Sequence, residues 1–104
     1  MTDDELVAPG VFAAADGGAR WTFDGALTMD TSADALAASR ALPLPGTGVV
    51  DFSGLRQADS AALAVMIALK RRGAAEGRSI ALAGIPATLT SLAVVYGIEP
   101  LLEQ

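Results

Sequence analysis

Two short apolar runs, residues 49–53 and 79–83, stand on either side of an unbroken apolar segment at 60–69. Strand, helix, strand in that order calls for two parallel strands joined by a helical crossover, which is right-handed in nearly all proteins. With 104 residues in all, the chain has room for one such core and no second domain.

The rest of the chain is arranged around that unit. Residues 11–15, the turn cluster Asp16-Gly17-Gly18 and residues 19–23 read as a β-hairpin. Trp21 and Phe23 fall on one face of its second strand, with Arg20 and Thr22 on the other, so one side is dry and one wet. Thr31-Ser32-Ala33-Asp34 has the Ser/Thr-x-x-acid spacing of a capping box, which predicts a helix from there to about Leu42. Pro43, Pro45, Gly46 and Gly48 stop it. Gly54 to Asp59 reads as a connection that carries Arg56 and Gln57.

Ser60 is the candidate N-cap of the central helix, and Lys70-Arg71-Arg72 sits where cations complement the helix dipole. Past Pro86, residues 87–96 place Leu89, Leu92, Ala93 and Tyr96 at helical spacing. Gly97 suits the C′ position, and the tail at 98–102 is expected to fold back. Residues 1–10, acidic and then Pro-Gly, are expected to be loosely held. The expected fold is therefore α/β: one domain over residues 11–104, a mixed sheet with helices mainly on one face.

Composition removes whole classes of chemistry. The chain has no Cys and no His, which excludes disulfides, thiol nucleophiles, zinc ribbons and imidazole acid–base work. A net charge of −5 argues against gripping nucleic acid or an anionic bilayer. The acidic start, Met1 to Glu5, is the opposite of a secretory n-region, and no apolar run reaches the roughly 20 residues of a membrane span. A cytosolic protein is expected, without metal, cofactor or direct membrane insertion.

Catalysis has little to work with. Ser60 lies beside Asp59, but no His exists to act as base, and the single Lys, Lys70, is at the far end of the helix. No phosphate-cradling glycine motif is present. A non-enzymatic role is expected.

The central helix says more. Between Ala61 and Leu69 it carries no polar side chain, whereas a helix on a sheet needs only one apolar stripe. Small alanines are tolerated outside. Leu63, Val65, Met66, Ile67 and Leu69 cannot all share one stripe, however, and outward-facing members of that set favour a partner surface. Ser60 has two readings, an N-cap and a hydroxyl placed where a phosphate is electrostatically tolerated.

Val50-Asp51-Phe52-Ser53, followed by Ala58-Asp59-Ser60-Ala61-Ala62-Leu63, resembles the signature of the STAS domain, a buried strand and then Asp-Ser/Thr-small-Gly-Leu at a helix start. Gly25-Ala26-Leu27 is similar to that family's Gly-Glu-Leu-Asp segment, with Ala26 and Thr28 in place of the acids and Ala62 in place of the signature glycine. Leu92-Ala93-Val94-Val95-Tyr96-Gly97-Ile98 looks like the Leu-Ala-x-x-Tyr-x-Leu ending of the MlaB-like branch. The resemblance covers most of residues 11–102.

That branch implies a cytoplasmic accessory subunit, peripheral to the inner membrane through its partner. Such a subunit docks on the ATPase of an Mla-type phospholipid ABC transporter and supports its assembly or activity. The other similar branch, the anti-sigma factor antagonists, carries a phosphorylatable Ser directly after the Asp. It would make Ser60 a phosphorylation site and an anti-sigma factor kinase the partner. The partner is expected to meet Arg56, Asp59, Ser60, Leu63 and Ile67.

Overall fold

The computed structural model describes residues 7–103. A hairpin of β1 (Val11–Ala15) and β2 (Arg20–Leu27) opens the fold, pairing Phe12 with Phe23 and Ala14 with Trp21. The expected turn is a single 3-10 turn over Asp16–Gly18, in which Asp16, Gly17 and Gly18 all take positive φ. Period-two alternation then sorts the side chains as the sequence predicts. Phe12, Trp21 and Phe23 are buried, and with Phe52 they form an aromatic cluster whose Phe12–Phe23 rings meet edge-on at 4.8 Å. On the wet face Arg20 bonds Asp16 at 2.9 Å and Asp51 of the neighbouring strand at 3.1 Å.

α1 (Ser32–Ser39) carries the chain over to β3 (Val49–Ala58), and α2 (Ser60–Ala75) carries it to β4 (Ala81–Ala83). The sheet order is β1-β2-β3-β4, antiparallel at the first pair and parallel at the other two. Beyond it, α3 (Ala87–Val95) and α4 (Glu99–Glu103) complete the fold. The buried side chains Val50, Phe52, Leu63, Met66, Leu69 and Leu89 join the aromatics in one core, while Ala13, Asp24, Ser53 and Ala83 on the opposite sheet face stay exposed. The mixed α/β sheet with helices on one face is as expected. A radius of gyration of 13.1 Å is that of one compact domain of this length.

Several local expectations need correction. Thr31 does precede α1, but its hydroxyl makes no bond to the first-turn amides. It donates to the Ala26 carbonyl at 3.1 Å and accepts from the Thr28 amide at 2.9 Å, tying the turn rather than capping the helix. The helix ends at Ser39 and tightens into a turn before Leu42.

Residues 54–58 are not a connection but the second half of β3. Two register shifts against β2 interrupt its alternation, which hides it from a period-two reading. Gly54 serves a close approach there: a Cβ would stand 2.5 Å from the Phe23 carbonyl oxygen.

α2 runs past Arg72 to Ala75, and Gly73 lies inside it because a Cβ there would meet Ile80 at 2.5 Å. The cations are not simply solvated at its end. Arg72 donates to the Ser39 and Leu42 carbonyls, so it satisfies the C-terminus of α1, and it lies 5.7 Å from the Trp21 ring centroid. Gly97 (φ 72°) ends α3 with the expected C′ geometry. Ile98 N–H donates to the Ala93 carbonyl, Gly97 N–H donates to that of Val94, and the tail folds back to bury Leu102. Of the lead expected to be loosely held, residues 1–6 lie outside the described residues. Ala8 and Gly10 both hydrogen-bond to Ala26 at the end of β2.

Candidate functional site

The expected partner residues gather at the carboxyl end of the parallel strands β2 and β3, where α2 begins. Asp59, not Ser60, is the N-cap. Its backbone is extended, and Oδ1 accepts from the Ala61 amide at 2.8 Å. Its other oxygen, Oδ2, accepts from the Met29 amide at 3.0 Å, thirty residues away in sequence. One carboxylate thus satisfies the start of α2 and pins the β2–α1 turn beside it. The backbone decides which residue caps: Asp59 leaves β3 in extended geometry, as a cap must, whereas Ser60 is already helical. Ser60 is therefore the first helical residue, and it is exposed.

Leu63 does not belong to this surface. It is 2% exposed and part of the core, as are Val65, Met66 and Leu69. α2 has α1 on one side and α3 and α4 on the other, so its buried arc is wider than one sheet-facing stripe. Ile67 is the exception among the large apolar residues, half-buried at the rim. Ser60, Ala64, Ile67 and Arg71, at i, i+4, i+7 and i+11, share the outer face. Arg56 is exposed near the end of β3, next to Gln57, which pairs with Ala26. The structure thus brings Asp59 and Ser60 together, sets Arg56 on the adjoining strand end and Ile67 two turns along, and removes Leu63.

Met29, which the sequence reading does not single out, stands beside this site. It is 78% exposed, and it sits in a turn closed by Thr31 N–H and Ser32 N–H donating to the Thr28 carbonyl. A large apolar side chain is thus held out by a braced turn next to the N-terminus of α2. Its only sequence signal is a methionine between two turn-forming residues.

The nearest thing to reactive chemistry is elsewhere, on the wet sheet face. Asp51 Oδ1 accepts from the Ser53 hydroxyl at 2.6 Å and from the Ser53 amide at 2.9 Å. These bonds, the hydroxyl's first, hold the Asp51 carboxyl below its ordinary range, with a smaller contribution from Arg20 and opposition from partial burial. This serine is thus tied to an acid on an open strand, and among the described residues no buried polar side-chain atom lacks a hydrogen bond.

A four-stranded mixed sheet with its helices on one face, and an aspartate-capped helix at the end of its parallel strands, defines a STAS-type α/β domain. The family model described as Mlab, STAS domain matches residues 12–103, and the chain belongs to that family. A search of curated proteins returns no match. Membership brings a protein-interaction role, because STAS domain proteins are in general accessory or regulatory components and not catalysts. Among the described residues no helix is long and apolar enough to cross a membrane.

Proposed function

We propose that the chain is a non-catalytic subunit that docks on the cytoplasmic ATPase of an Mla-type phospholipid ABC transporter and supports its assembly or activity. The partner surface is the N-terminus of α2 with the turn beside it: Met29, Arg56, Asp59, Ser60 and, at its edge, Ile67. The observation that carries this reading is the Asp59 carboxylate, bonded at once to Ala61 and Met29. It presents an exposed hydroxyl and an exposed methionine on one preorganised surface. Preorganisation lowers the ordering cost of association.

The anti-sigma antagonist reading keeps one supporting observation: Ser60 is exposed at the first position of a sixteen-residue helix, where a phosphate is favoured by the dipole. Against it, Ala26 and Thr28 stand where the family's Gly-Glu-Leu-Asp segment has its acids and Ala62 where it has the signature glycine, on the surface a partner kinase would use. The test is co-purification with the ATPase of the wild type and of the Ser60→Arg and Met29→Asp variants, each checked for folding. Folded variants should lose the partner. Full retention by both would move the interface elsewhere. A phosphoserine at Ser60 in protein from its native cells, together with capture of a serine kinase, would favour the second reading.

A further inference from the structure

α3 turns Leu89 and Ala93 into the core and leaves its opposite face bare. Thr88, Ser91, Val94 and Val95, at i, i+3, i+6 and i+7, share that outer face, and all four are exposed. Val94 is 54% exposed and Val95 77%; Tyr96 at 55% follows at the end of the helix, and Leu101 at 43% in α4. Among the described residues these are four of the six large apolar side chains that stand exposed. Together they show solvent an apolar area on the order of 400 Å², within the range of patches that mark contact sites.

The chemistry of this face selects its occupant. Residues 79–98 carry no charged side chain, in a chain of net charge −5. A partner that presented a charge here would bury it without a counter-charge, which is costly. A bilayer fits poorly, because α3 has no Lys or Arg with which to hold lipid headgroups. A second copy of the chain meets neither objection. Its excess of acids sets two copies against each other elsewhere, whereas the outer face of α3 offers its twin no charge at all. The nearest acids in sequence, Glu99 and Glu103, line the hollow beside β4. Valine packs on valine, and the hydroxyls of Thr88 and Ser91 each donate and accept, so they can pair with themselves across a two-fold axis.

We propose that the chain forms a symmetric dimer through this face, α3 against α3, with Val94 and Val95 at the centre, Tyr96 and Leu101 beside them, and Thr88 and Ser91 at the rim. Two such faces bury about 1,000 Å² between them, the lower end of what a specific contact needs, so the dimer is reversible, with a Kd on the order of 10–100 µM. The face belongs to α3 and α4 and not to the N-terminus of α2, and the proposal stands whether or not the transporter reading does.

The test is sedimentation equilibrium of the full chain, alone, across concentrations that span this Kd. The wild type should pass from monomer to dimer and no further. Val95→Glu and Val95→Lys, each checked for folding by circular dichroism, should weaken association at least tenfold, and an equimolar mixture of the two should recover most of that loss. Val11→Glu, the same charge change at a valine 62% exposed on the wet sheet face, should change it less than threefold. A wild type that stays monomeric, equal losses in Val95→Glu and Val11→Glu, or a mixture no tighter than its parts would overturn the proposal. So would binding of the wild type, but not of Val95→Glu, to phosphatidylcholine vesicles, which would assign the face to a bilayer.

Discussion

Replacing Asp59 tests the central structural claim, because one side chain performs two tasks that can be separated. In Asp59→Ala the Ala61 amide loses its cap, at a cost of about 1 kcal/mol. The Met29 amide loses an acceptor that is charged, and a hydrogen bond to a charged group contributes about 1.5–3 kcal/mol. The site is only half-buried, so water replaces part of that second contribution. The expected total is about 2–3 kcal/mol, or a fall in Tm of roughly 10–20 °C for a domain of this size.

Asp59→Ser keeps a cap but is too short to reach Met29, so about half the loss should remain. Ser60→Ala should change stability by less than about 0.5 kcal/mol, as exposed positions away from caps generally do. The assay is urea unfolding followed by the fluorescence of Trp21, the single tryptophan, which is fully buried. If Ser60→Ala costs more than Asp59→Ala, or if Asp59→Ser matches Asp59→Ala, the assignment of cap and tether is wrong.

Other outcomes follow from the same geometry. Leu63→Asp should fail to fold, since it buries a charge in the core, while Ile67→Asp should fold with a loss of about 1–2 kcal/mol; circular dichroism and urea midpoints decide, and a folded Leu63→Asp protein would refute the burial of that residue. Arg72→Lys should cost about 1–3 kcal/mol by urea unfolding, because an ammonium cannot reproduce the fork that reaches Ser39, Leu42 and Glu76 at once; a neutral result would remove its role at the end of α1. Asp51, held below its ordinary carboxyl range, contributes stability that is fully present above its unfolded value of about 3.9 and is lost as pH falls through its folded value. Ser53→Ala should raise the Asp51 titration seen by carboxyl NMR and should lie below the wild type in urea midpoint at pH 6, with the gap closing in acid; a gap independent of pH would contradict the assignment.

Much of this protein can be read without coordinates. The hairpin turn at Asp16-Gly17-Gly18, the dry face of Trp21 and Phe23 and the Gly97 cap depend on neighbours a few residues apart, whose conformational preferences are local. The order of strands and helices then leaves parallel crossovers as the available connection. The Asp-Ser pair at the start of α2 marks the family from sequence, and the match over residues 12–103 agrees.

Tertiary structure decided the rest, and in each case through partners distant in sequence. Asp59 caps in place of Ser60 because β3 continues to Ala58 and delivers Asp59 in extended geometry, facing an amide thirty residues back. Two register shifts conceal the second half of that strand from any periodic pattern. Leu63 lies in the core, in a helix that packs against α1, α3 and α4 as well as the sheet, and no property of α2 alone reveals how wide its buried arc will be. Arg72 looks like a dipole-matched charge in sequence, yet it serves the end of another helix. A cap, a pattern or a charge is a local offer, and which offers are taken is settled by the groups that packing brings within hydrogen-bonding reach.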